Sequence, residues 1–226
     1  MWQILVGTLL TVALALLLAR QAARSRVRLR EAPAAIFAEA ANILQRPEYG
    51  HGETVGSYVL TGRYNNHFVQ VKVLADTLAV RKLPSQWLMV TIPEPLPVAA
   101  VFDLMLRPAG PLTFSNFDQL AHTLPLPKGY PEDAVIRTDD RDRVLDPAVI
   151  AAHLVSLFDS RSKELLITPN GLRLVRLLSE ADRVRYGVLR QAEFGNVQLD
   201  PELLQRTIVR LLKLRDDIIA SESSPP

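Results

Sequence analysis

Between Ile4 and Ala19 the chain carries no charged side chain, and then Arg20, Arg24, Arg26, Arg28 and Arg30 follow within eleven positions. No other feature constrains the fold so strongly. A run this apolar is stable as a helix in hydrocarbon, whereas a cluster of guanidinium groups must stay in water or among headgroups. With Trp2 and Gln3 the run reaches 18 residues, about 27 Å of helix at about 1.5 Å per residue. That length spans a bilayer core, with Trp2 at one interface and the arginines at the other. Thr8 and Thr11 return their hydroxyl bonds to the helix backbone.

The same boundary separates an anchor from a cleaved export signal. A signal peptide places its positive charge before the apolar stretch and small residues at the cleavage site. Here no Lys or Arg precedes the stretch, and Arg20 follows it directly. The expectation is an uncleaved signal-anchor over residues 2–19. Positive flanks remain cytoplasmic, so the N-terminus is expected outside and the rest of the chain in the cytoplasm, on a cell inner (plasma) membrane. Arg20, Arg24, Arg26, Arg28 and Arg30 then contact the lipid bilayer, each contributing on the order of 1 kcal/mol beside anionic headgroups.

Removing these arginines changes the meaning of the overall charge. The chain has 26 basic and 24 acidic residues, and no acidic residue precedes Glu31. The part after the arginines is therefore net acidic. Its composition argues against nucleic acid as a partner, despite a sequence pI near 9.0. The excess of arginine over lysine suits a GC-rich, bacterial genome. There is no cysteine, which excludes disulfides, thiolate metal sites and cysteine nucleophiles.

Beyond the arginines, residues 20–46 read as a basic juxtamembrane segment leading into an amphipathic helix. Pro33 suits its first turn, and Ile36, Phe37, Ala40, Ile43 and Leu44 recur at helical spacing. Residues 47–56 are turn-rich and read as a linker. From Ser57 the apolar period changes to two. Val69, Val71 and Val73 point to one face of a strand, and Asn65-Asn66 mark a hairpin turn. Further strands are expected over 77–82, 86–92 and 101–107. The prolines of Pro93–Pro97 make a stiff connector, and the stretch from Pro108 to Asp133 reads as an ordered, irregular excursion.

Two helix starts share an Asp-Pro signature, at Asp146-Pro147 and Asp200-Pro201. Between them Asn170-Gly171 signals a hairpin, and "RVRYGVLRQAEF" reads as one more strand. Leu204, Ile208, Leu211 and Leu212 define the apolar face of the last helix. The fold class expected is α+β: an N-terminal transmembrane helix, then a mainly antiparallel β-sheet domain over 57–220 with two late covering helices. Lobes of 57–139 and 140–220 are one division, and 221–226 read as a disordered tail.

No catalytic constellation is legible. The glycines of Gly50–Gly56 lack the strand-to-helix context of a phosphate loop. His51, His67, His122 and His153 have no metal-ligand spacing. Asp139, Asp140, Asp142 and Asp146 lack the glycine and terminal glutamate of a calcium loop. Ser57 has neither the second glycine of a nucleophile elbow nor an assignable base. Trp87, Met89 and Phe102 read as core. No metal or cofactor is implied.

What remains is a group of arginines. Arg173 on the late hairpin, with Arg183, Arg185 and Arg190 on the strand expected after it, suits an acidic partner or anionic headgroup. As exposed charges, their neutralisation is expected to leave the fold intact. The functional expectation is a single-pass, non-catalytic accessory, assembly or scaffold protein that binds a membrane-protein partner. Its rival is an enzyme acting on a membrane-embedded or lipid substrate through a dispersed site.

Overall fold

A computed structural model describes residues 35–223, apart from 55, 77–82, 109, 111 and 190–191. The anchor expected over 2–19, its arginines, and the strand expected over 77–82 lie outside the described residues. No helix among those described is long and apolar enough to cross a membrane.

Among the described residues nine strands follow one another: β1 (Gln45–His51), β2 (Ser57–Tyr64), β3 (His67–Asp76), β4 (Ser85–Ile92), β5 (Phe102–Leu106), β6 (His122–Leu124), β7 (Ala134–Thr138), β8 (Ser162–Thr168) and β9 (Gly171–Glu180). The helices are α1 (Pro147–Ala151), α2 (Leu154–Leu157), α3 (Arg183–Leu189) and α4 (Pro201–Ser223). All strands join one open sheet in the order β1-β2-β3-β4-β9-β8-β5-β7-β6, and every pairing is antiparallel. The α+β class with a mainly antiparallel sheet is therefore observed.

The alternation of β3 explains the sheet's two faces. Val69, Val71 and Val73 are fully buried and lie across from Gly62, Leu60 and Tyr58 of β2 on one side and from Val90 and Leu88 of β4 on the other. Against this face packs α4, whose Leu204, Ile208, Leu211, Leu214 and Ile218 are all fully buried. Leu212, expected on that face, is only partly buried against the core. Each such side chain contributes roughly 1.5–3 kcal/mol on leaving water. The Asp-Pro starts hold: Asp146 Oδ1 accepts from the Ala148 amide at 2.9 Å, and Asp200 Oδ1 from that of Glu202 at 2.9 Å. The first helix, however, breaks into the short α1 and α2, so a single long helix covers the sheet.

The amphipathic segment docks beside α4. Phe37, Ala40, Ala41 and Leu44 are buried, a 3₁₀ turn spans Ala40–Ile43, and the Leu199 amide donates to the Ile36 carbonyl at 2.9 Å.

Four expectations change. Residues read as a linker form the edge strand β1, paired to β2 with a bulge between Gln45 and Glu48. Arg46 has φ 52° there and Pro47 has no amide to offer, so local turn chemistry masked a strand that tertiary pairing creates. Residues 183–189 are helical rather than extended, because the chain turns away from the sheet after Ala181, whose amide donates to the Pro84 carbonyl at 2.9 Å. The tail expected to be disordered is helical through Ser223. Nor do residues before and after 140 form two lobes: the β8–β9 hairpin inserts between β4 and β5.

One turn falls where its residues predict, and the other is shifted by one residue from the Asn170-Gly171 centre expected. Asn65 (φ 48°) and Asn66 (φ 68°) form the β2–β3 turn with both central residues left-handed. The β8–β9 turn has Pro169 and Asn170 at its centre, with Thr168 paired to Gly171. Gly171 has φ 137°, and a Cβ there would collide with the Ile92 carbonyl oxygen.

Candidate functional site

The face opposite α4 carries one row that is polar on every strand but β8. From β1 to β6 that row reads Glu48, Thr61, Gln70, Thr91, Arg173, Leu166, Asp103, Arg137 and Thr123. The next row holds Met89, Val175, Glu164, Met105 and Val135. Apolar and ionic groups thus meet where β9, β8, β5 and β7 lie side by side.

Residues 112–119, from the irregular excursion, lie over this region as a strap. Phe114 meets Trp87 with ring centroids 5.3 Å apart, at a small cluster of Leu74, Met89 and Val175. The hydroxyl of Ser115 bonds Glu164 Oε1. Arg173 Nη2 donates to Glu164 Oε2 at 2.9 Å and to the Phe114 carbonyl at 3.2 Å. Arg137 Nη1 donates to the carbonyls of Phe117 and Asp118 at 3.3 and 3.2 Å, with its guanidinium 5.1 Å from the centroid of the Phe117 ring. The strap therefore hangs chiefly on two arginines and one glutamate.

Beneath it, Glu164 is 0% and Asp103 2% exposed. Asp103 Oδ1 is buried without a hydrogen-bond partner among the described residues. Burial, reinforced by the neighbouring charge of Glu164 and opposed by Arg173, pushes the Asp103 carboxyl up to about 8. At neutral pH this group holds its proton while Glu164 keeps Arg173. Here a carboxyl can hold or release a proton beside two permanent guanidinium cations and a hydroxyl.

No family model matches the chain, and no match arises among curated proteins or solved structures.

The arginines singled out from sequence are not brought together on one strand face. Arg173 sits under the strap, paired with Glu164, so it is not a free surface cation. Arg183 opens α3 and is exposed. Arg185 belongs to the same helix, and its side chain, like Arg190, lies outside the described residues, as do Arg20, Arg24, Arg26, Arg28 and Arg30. Beside α3, an open cleft of about 410 Å³ is lined by Glu180, Asp182, Glu193, Phe194 and Gly195.

Several of the other polar candidates have structural partners. His67 Nδ1 lies 2.9 Å from Glu94 Oε2, which Arg215 Nε of α4 also approaches to 2.9 Å. Although burial alone would raise the Glu94 carboxyl, the bonds from His67 and the Phe68 amide and the charge of Arg215 bring it below its usual value. His153 Nε2 is 2.9 Å from Asp217 Oδ2. Asp139 Oδ1 accepts from the Val101 amide at 2.8 Å, and Asp140 Oδ1 from that of Asp142 at 3.0 Å. Gly52 and Ser57 close the β1–β2 loop through a 2.9 Å backbone bond. Among the described residues no group of three or more His, Cys, Asp or Glu could hold a metal ion.

Sequence reasoning passed over Asp103 and Glu164. Each is a lone carboxylate in an apolar strand, "FDLML" and "KELLI". A charge inside a strand buried on both sides was the available signal.

Proposed function

We propose that the protein is a single-pass, membrane-anchored, non-catalytic module that works by binding a membrane-associated protein, as an accessory factor, assembly factor or scaffold. The observation that carries this reading is the uncharged run over residues 4–19 followed directly by five arginines. It supports a reading with the N-terminus outside and the sheet domain in the cytoplasm, on a plasma membrane. Residues 35–44 dock beside α4, so the described chain begins on the helix-covered side, across the sheet from the strap. Tethering raises the effective concentration toward anything in the same bilayer, so a modest interface suffices. Arg183, Arg185 and Arg190 are the residues assigned to that contact; Arg173 is withdrawn because Glu164 holds it.

Affinity capture of the full chain in mild detergent tests the reading. Stoichiometric recovery of a membrane protein, lost when Arg183, Arg185 and Arg190 are replaced by glutamine, supports it. Release of the chain from membranes by carbonate, or activity of an export-dependent reporter fused at Pro226, overturns the anchor or its orientation. The rival reading is an enzyme acting on a lipid or membrane-embedded substrate, and its acid would be Asp103. Lipid turnover lost in Asp103→Asn while partner capture is absent favours that rival.

A further inference from the structure

The strap and the buried carboxyl beneath it share the same cations. Arg137 is directly across from Asp103 on β7, and Arg173 lies in the same row two strands away. These two guanidinium groups also hold the strap, through the carbonyls of Phe114, Phe117 and Asp118. Both have a buried Nε without a hydrogen-bond partner among the described residues, and Asp103 Oδ1 is likewise unpaired. Donors and an acceptor that satisfy one another are therefore present within one cluster but not engaged. Groups buried in this condition are uncommon in native proteins and ask for a physical account.

We propose that residues 112–119 form a proton-controlled strap, closed while Asp103 carries its proton and released when Asp103 ionises and draws Arg137 and Arg173 away from the strap carbonyls.

The charge balance fixes the direction. With Asp103 neutral, the charged groups facing it are Glu164 from β8, Arg173 from β9 and Arg137 from β7; the strap adds the Ser115 hydroxyl. One carboxylate meets two cations, and the surplus positive charge is taken up by strap carbonyls. Ionised Asp103 places a second buried carboxylate beside Glu164. Two buried carboxylates need both cations, because leaving one unpaired costs more than the neutral carbonyl bonds it replaces. The carbonyls then turn to solvent and the strap lifts. Its departure uncovers Trp87 with Met89, Leu74 and Val175, a small apolar patch edged by Arg173. The burial that isolates Asp103 holds its carboxyl near about 8, so the transition falls in the mildly alkaline range.

The test uses the full chain in mild detergent, titrated from about pH 6 to about pH 9.5, with hydrogen exchange corrected for its intrinsic pH dependence. Protection of the strap amides relative to those of β3 is expected to fall with rising pH, by up to about tenfold per unit while the closed state still holds the proton, and to level off above about 8. In a Trp2→Phe background, emission from Trp87 is expected to shift red over the same range, since Phe114 leaves its ring. Asp103→Asn should keep the strap protected throughout, and Glu164→Gln should move the midpoint to lower pH by removing the charge that opposes ionisation. A constant protection ratio in the unmodified chain overturns the proposal. So does an unchanged transition in Asp103→Asn, or, should that variant not fold, an unmoved midpoint in Glu164→Gln.

Discussion

Replacing Arg173 by Met separates an interface arginine from a structural one. Were Arg173 on an open solvent face, the substitution would stay within about 0.5 kcal/mol. In the structure its Nη2 is 2.9 Å from a carboxylate that is 0% exposed. Removing the guanidinium strands the Glu164 charge, a loss of about 3–5 kcal/mol for a buried pair. It also frees the Phe114 carbonyl, adding about 1 kcal/mol. A chain of this size loses about 2–4 °C per kcal/mol, so melting should fall by roughly 8–24 °C. Glu164→Gln should cost only about 1 kcal/mol, because the amide still accepts from Ser115 and the like charge beside Asp103 disappears. The asymmetry is the diagnostic, since breaking a pair from the cation side leaves a buried anion while breaking it from the anion side leaves a cation that is 23% exposed. Urea unfolding of both variants and the double variant at pH 7, in detergent, gives the three numbers. Equal losses, or a loss for Arg173→Met below about 1 kcal/mol, would refute the placement of this pair.

Stability should also depend on pH through Asp103. Between the ordinary carboxyl value and about 8 the unfolded chain has released a proton that the folded chain retains, so stability falls as pH rises, by up to about 1.4 kcal/mol per unit, and levels off above the folded value; Asp103→Asn should remove that slope in urea titrations. Gly171→Ala should cost about 3 kcal/mol or more by thermal unfolding, through its φ of 137° and the collision with Ile92. Ile208→Ala should cost about 3 kcal/mol and its exposed neighbour Val209→Ala about 0.5 kcal/mol or less, which checks that α4 presents the stated face to the sheet.

Local signals were legible wherever a residue's own chemistry decides its conformation. Asn65-Asn66 tolerate positive φ, Asp146 and Asp200 cap helices from the position before a proline, and Val69, Val71 and Val73 alternate because a half-covered strand requires it. The valine pattern and the face of α4 made the α+β class readable, and the uncharged run with its arginine flank made the anchor the natural expectation. These are short-range effects, complete within a turn of helix or a pair of strand residues.

Only the tertiary structure decided what lies beside what. Strand β1, with Pro47 and a left-handed Arg46, exists because β2 offers it a ladder; "RVRYGVL" has strand-like residues but follows β9, which β4 and β8 already pair on both sides, and is helical. Insertion of β8–β9 between β4 and β5 joins residues 70 positions apart, and it alone brings Asp103, Arg137, Glu164 and Arg173 under one strap. An arginine's charge is written in the chain, but whether that charge faces a partner or a buried carboxylate depends on strand order and register. Register follows from burying one whole face at once, a cooperative choice that no local stretch contains.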